Sequence, residues 1–328
     1  MSSPETPKQQ PQTWEQAMLE KLLMQVYREQ RKDRNAKWIR LFIWLFFLAF
    51  FIAILSAGGG GGGNKNANTL MLAKKENHTA IVELSGVIDS ANDNARKLLE
   101  GLENAYKNDK VKGIIIRADS PGGSPVISDT AFTEIRRLKS QHKNIPLYVV
   151  AEDVCASGCY YIAAAADKIY ANPSSMVGSI GVISSGFGAT ELIEKLGVER
   201  RLKTAGNNKG MGDPFSPETP EQNAIWQKML DDIHNQFINA VKTGRGDKLK
   251  WQQNTDVFSG RVYTGTEAKN IGLIDDFGNI YSVSRDVIQA EKMVNYTPKD
   301  DFATLLGKRF GTQIRQEVKE TLSHRPIW

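Results

Sequence analysis

Histidine and cysteine are scarce in this chain: its 328 residues include four of the first and two of the second. The two cysteines, Cys155 and Cys159, have no paired histidines beside them, so the spacings by which zinc is held are missing. The histidines, His78, His142, His234 and His324, all stand apart from any motif. A catalytic serine therefore has no histidine neighbour in the sequence, although distant ones can converge in space. An excess of one charge is lacking as well. The formal net charge is +5, and residues 1–40 supply +3 of it through eight basic and five acidic side chains. The chain beyond residue 40 is near neutral, which speaks against nucleic acid as a partner.

Long apolar runs are absent with one exception. Residues 41–57 (LFIWLFFLAFFIAILSA) carry no charge and span roughly 25 Å as a helix, near the minimum for a bilayer. Trp38 and Ile39 can extend the run, with Arg40 reaching back to the headgroups. The basic residues before it keep the N-terminus in the cytoplasm and export the rest. The expectation is an uncleaved anchor. A cleaved signal peptide is the alternative, with Ser56-Ala57-Gly58 as a small-residue site. Before the anchor, Thr13 and Gln16 form a capping-box pattern, and Trp14, Met18, Leu22 and Val26 recur every four residues. This helix either lies on the membrane or self-associates, or it simply continues the anchor. Residues 58–63 are six glycines, followed by Asn64-Lys65-Asn66-Ala67-Asn68, and read as a flexible linker.

Beyond the linker, strands and helices alternate. Runs at 80–84, 111–117 and 147–151 read as strands, and 95–106 and 126–141 as helices. Repeated βα units define an α/β domain with a mostly parallel sheet. Sites in such folds lie at the carboxyl ends of strands, and two motifs fall there. One is 119–124 (DSPGGS). The other is Ala156-Ser157-Gly158-Cys159-Tyr160-Tyr161, between a strand and an Ala-rich helix. A serine at such a turn exposes its hydroxyl at a helix N-terminus, which favours developing negative charge. The bland alternative is an N-cap serine. Gly122-Gly123 lets the backbone approach a ligand, and its N–H groups with that of Gly158 can form an oxyanion hole. Here the alternative is a plain Pro-Gly turn. Lysine is the other base known for a serine dyad. Lys209 lies in a Gly/Asn-rich loop, where spacing alone makes it one lysine among many. Cys155 and Cys159 flank Ser157. They are expected as small buried residues, with a disulfide as the lesser option in an exported domain.

These motifs resemble the signal peptide peptidase A / protease IV family of bacterial serine proteases, in its short single-copy form. The matching stretches are 119–124 (DSPGGS), 156–162 (ASGCYYI), 166–173 (ADKIYANP), 178–183 (GSIGVI), 209–215 (KGMGDPF) and 260–273 (GRVYTGTEAKNIGL). The SohB-type peptidase is the nearest sibling. The resemblance implies a Clp-protease/crotonase-like βα superhelix, preceded here by one transmembrane helix. It implies a Ser/Lys dyad of Ser157 and Lys209, with Ser179 orienting the amine and Gly123 and Gly158 as oxyanion donors. No metal or cofactor is implied.

The family's shared-site rings imply a homo-oligomer in which Ser157 meets Lys209 of a neighbour. The expected substrates are signal peptides left in the bacterial inner membrane, with the catalytic domain on the far side from the cytoplasm. Substrate is expected to bind extended along 178–182, unless that run is an ordinary internal strand. The family usually carries Ala or Gly where Cys155 and Cys159 stand. The resulting organisation is 1–40 cytoplasmic, 41–57 anchor, 58–78 linker, 79–291 peptidase domain and 292–328 tail. The competing readings are a SohB-like peptidase of other specificity, a crotonase-type acyl-CoA enzyme and an inactive scaffold for membrane proteins.

Overall fold

The computed structural model describes residues 18, 42–47 and 76–299. The chain divides into two units, Met1–Leu70 and Met71–Trp328. In the first, Met18 and residues 42–47 are helical. The remainder of the expected anchor and residues 58–75 of the linker lie outside the described residues, and His78, expected as the linker's last residue, opens the first strand of the domain. Among the described residues no helix is long and apolar enough to cross a membrane.

The second unit is built on an eight-stranded sheet. Strand β1 (His78–Ser85) is followed by helix α1 (Asn94–Tyr106), β2 (Val111–Ser120) and α2 (Pro125–Gln141). Then come β3 (Leu147–Ala156), α3 (Gly158–Ala163), β4 (Lys168–Ala171) and β5 (Met176–Gly178). After an excursion containing only α4 (Thr190–Lys195), the long α5 (Pro220–Arg245) leads to β6 (Val262–Thr264) and α6 (Gly265–Ile271). Strands β7 (Asp276–Phe277) and β8 (Met293–Asn295) complete the sheet. Its order is β6-β5-β3-β2-β1-β8, with β4 between β3 and β7. All the pairings are parallel except β5 with β6.

Alternation within the strands sorts the core. Ala80, Val82, Leu84, Ile114 and Ile116 face the main apolar cluster beneath the helices, while Ile81, Ile115 and Val150 face a smaller one on the other side. Helix α1 contributes Leu98, Leu102 and Ala105 at helical spacing. Helix α2 starts where Ser124 accepts from the Ile127 N–H, with Pro125 at a position that needs no donor. Thr219 with Gln222, and Thr264 with Glu267, form capping boxes that start α5 and α6.

Two expectations are corrected. Strand β8 pairs with β1 through Thr79↔Met293 to Ile81↔Asn295, so the domain's sheet runs past residue 291, where the sequence pattern had placed its end. The run 178–182 is not a free strand. Its regular part is β5, which is flanked by β3 and β6 and is therefore internal.

Candidate active site

Strand β3 decides where the site forms. Its first half, Tyr148–Ala151, pairs with β4; its last residues, Val154–Ala156, pair with β5 on the same side. Past Ala156 the chain turns sharply at Ser157, which takes φ 52 and ψ −124, and enters α3 at Gly158. That conformation is unusual for a residue with a Cβ, costs on the order of 1–3 kcal/mol and persists only where neighbours over-determine it. The neighbours are identifiable. The Ser157 N–H donates to the Gly178 carbonyl at 2.8 Å, and its own carbonyl accepts from the Tyr161 N–H at 2.9 Å. The hydroxyl accepts no cap hydrogen bond, so the N-cap alternative fails.

Helix α3 is six residues long and is fastened from several sides. Tyr160 is fully buried and donates to the Leu273 carbonyl at 2.6 Å. Tyr161 donates to Asp129 at 2.8 Å and stacks on Phe237. Burial pushes both phenols up, and Asp129 adds to the effect at Tyr161. Motif reasoning overlooked these tyrosines. The available signal was a tyrosine pair on an otherwise apolar helix, where each buried ring needs a partner for its hydroxyl.

The glycine loop packs straight onto the elbow. A methyl group on Gly122 would sit 2.6 Å from the Gly158 nitrogen and 2.7 Å from the Ser157 Cβ, and Gly122 has φ +100. Gly123 has φ +152 and would meet the Ile88 carbonyl at 2.1 Å. Ile88 bridges this loop in parallel: its N–H donates to Gly122 and its carbonyl accepts from Ser124, each at 2.8 Å. A parallel bridge of this kind uses the groups on either side of Gly123 and leaves Gly123's own N–H turned away from it. The Gly158 N–H opens a helix and so has no partner within it. Among the described residues neither amide has an acceptor. A methyl on Gly158 would lie 3.2 Å from the Gly123 nitrogen, so the two free donors are close neighbours.

Ser179 lies beside Ser157 for a reason of register. Ala156 pairs with Gly178, and each strand then continues into a serine with φ 52. The Ser179 N–H donates to the Arg261 carbonyl at 2.9 Å. The next carbonyl, of Ile180, accepts from Gly260 N–H and from His234 Nε2, both at 3.1 Å. His234 thus steadies the segment behind Ser179, a contact across 54 residues that no local pattern reveals.

Lys209 is on none of the strands or helices that carry this group. It lies in an exposed run of turns within the excursion between β5 and α5. Among the described residues no side-chain hydrogen bond or ion pair ties it to Ser157 or Ser179. The cysteines differ from the expectation. Both are buried, as expected, but they are bonded to each other as a disulfide across the elbow, with Cα atoms 5.2 Å apart. The lesser option is the one the structure adopts, because the turn at Ser157 folds the helix back towards the strand end.

Fold and site together define an α/β domain that presents a strained serine at a strand-to-helix elbow, next to two unsatisfied backbone donors. The comparisons with known proteins are more specific. The model for peptidase family S49 matches residues 139–294. An Enterococcus faecium protein named "Putative signal peptide peptidase SppA" is 31% identical over 239 residues, 71% of this chain and 68% of that one. Protease 4 of Haemophilus influenzae is 30% identical over 224 residues, 67% of this chain and 35% of its own length. The chain belongs to peptidase family S49. A Brucella melitensis protein named Na(+)/H(+) antiporter NhaA is 43% identical over 216 residues, 64% of this chain, and this chain spans 29% of that protein.

Proposed function

We propose that this protein is a membrane-anchored serine endopeptidase that degrades peptides left in the bilayer, signal peptides above all. The observation that carries the reading is the elbow itself: Ser157 at φ 52, with the free N–H groups of Gly123 and Gly158 beside it. In this reading the Ser157 Oγ attacks the scissile carbonyl, and the two amides hold the oxyanion as it forms. Lys209, aligned by Ser179, takes the serine proton and returns it to the leaving amine. Water then releases the acyl group from Ser157 by the same route.

The exposed position of Lys209 favours a base shared between subunits, with Lys209 of one chain completing Ser157 of the next. The excursion that carries it supports this. Ile183 is 90% and Phe187 92% exposed, and α4 has no buried residue. Apolar side chains left in water on this scale mark a surface that has a partner. A Clp-protease/crotonase-like superhelix is the finer fold we assign, on the family resemblance. The anchor at 41–57 and the basic residues before it support an exported domain on the bacterial inner membrane.

A fluorophosphonate probe tests the reading. It is expected to label the full-length protein at Ser157, and Ser157→Ala is expected to lose both labelling and peptide hydrolysis while keeping its thermal midpoint. Hydrolysis near wild type in Ser157→Ala would refute the assignment.

A further inference from the structure

We propose that the Cys155–Cys159 disulfide is a covalent positioning brace for Ser157, so that acyl transfer at this serine depends on the oxidised state of the two sulfurs. The inference rests on Ser157 being the nucleophile. The bridge encloses only Ala156, Ser157 and Gly158, which are the serine, its predecessor and one of the two free donors. Cys155 is held in the sheet, opposite Ser120 of β2 and Val177 of β5. Cys159 lies in the first turn of α3. The bond therefore ties a fixed strand end to a helix of six residues, too short to hold its own geometry.

The location argues for positioning over general stability. A bridge that closes so short a loop restricts the unfolded chain less than a long-range one. Its effect is concentrated on the backbone angles it encloses, and Ser157 is the strained residue among them. The backbone of Ser157 itself is otherwise tied by single hydrogen bonds, to Gly178 and from Tyr161, while Tyr160 and Tyr161 fasten the helix beyond it. Cys155 is 1% and Cys159 0% exposed, so the bridge is shielded from solvent thiols. It acts as a lasting brace, formed when the domain reaches an oxidising compartment. Reduction by a dithiol gives each sulfur one electron and one proton, and the reductant closes into its own cyclic disulfide.

The test compares the full chain in three forms: oxidised, reduced with dithiothreitol, and Cys155→Ala/Cys159→Ala. Mass spectrometry reports the bridge. The readouts are kcat and KM on a Leu/Ala-rich peptide, the rate of Ser157 acylation by the fluorophosphonate, and the thermal midpoint. Without the bridge, kcat and the acylation rate are expected to fall about tenfold or more, as misplacement of a reacting group does, with KM within about twofold. Reoxidation restores the reduced enzyme but not the double variant. Equal acylation by the oxidised and bridge-free proteins, both folded, would overturn the brace, as would a loss that only follows unfolding. If the oxidised enzyme neither cleaves nor labels, the peptidase reading has failed. Hydrogen exchange at the amides of residues 158–161 then decides the brace alone. Faster exchange without the bridge supports it, and unchanged exchange refutes it.

Discussion

Ser157, Gly122, Gly123 and Ser179 share positive φ, and at each the reason is a neighbour. Gly122 and Gly123 have no space for a Cβ, because the elbow and Ile88 occupy it. Gly123→Ala is therefore expected to shift the loop and displace the N–H that we propose as one oxyanion donor. Loss of one such donor elsewhere lowers turnover about 100-fold to 1,000-fold. Steady-state kinetics should show that loss in kcat, with the fluorophosphonate rate falling in parallel. A Gly123→Ala enzyme with wild-type kcat would remove Gly123 from the site. Much at this scale was legible. A serine and a glycine between a β-rich run and an Ala-rich run specify an elbow, and a Gly pair after a strand specifies close approach. The disulfide was not legible. Three residues separate Cys155 from Cys159, and whether they meet depends on how sharply Ser157 turns, which spacing does not state.

Strand β3 carries two neighbours on one edge, β4 early and β5 late, and the elbow rises where the second takes over. The long strands and the helices α1 and α2 could be read from period and caps. The three-residue strands β5, β6 and β8 could not, since so short a run shows no period, and their pairings are set by tertiary contacts. A buried ion pair fastens the end of α5 to this framework. Arg245 is 1% exposed, donates to Asp275 at 2.7 Å and also holds the Gly272 carbonyl. Asp275 accepts in turn from the Ile169 N–H of β4 and from Lys248. Burial pushes the Asp275 carboxyl up, but the hydrogen bonds and charges of Arg245 and Lys248 outweigh it and hold the carboxyl below its usual range. A carboxylate lowered in this way adds stability above its unfolded pKa, and that stability is lost as pH falls through the folded value. Arg245→Met is expected to cost about 1.5–3 kcal/mol at pH 7, since the Asp275 carboxylate loses its buried charged partner and keeps only Lys248 and the Ile169 N–H. Below about pH 4 the gap from wild type should narrow, as Asp275 takes up a proton. Denaturant unfolding at pH 7 and pH 3 measures it, and an equal gap at both would contradict the pairing.

As a whole molecule, the catalytic unit is well packed around its sheet and open along the excursion between β5 and α5. That stretch carries the exposed Lys209 and the largely exposed Ile183, Phe187, Leu192 and Leu196. Ser157, the Gly123 and Gly158 amides and Ser179 come together within one chain, while Lys209, the base we propose, is exposed and makes no side-chain hydrogen bond or ion pair with them among the described residues. A second copy is the partner that would both cover the apolar row and bring an amine to Ser157. The most direct measurement is subunit mixing. Ser157→Ala and Lys209→Ala proteins are each expected to be inactive. Co-assembled, they should regain part of the wild-type rate, because some interfaces then join an intact Ser157 to an intact Lys209. Proven co-assembly with no recovered hydrolysis would contradict a site shared between chains.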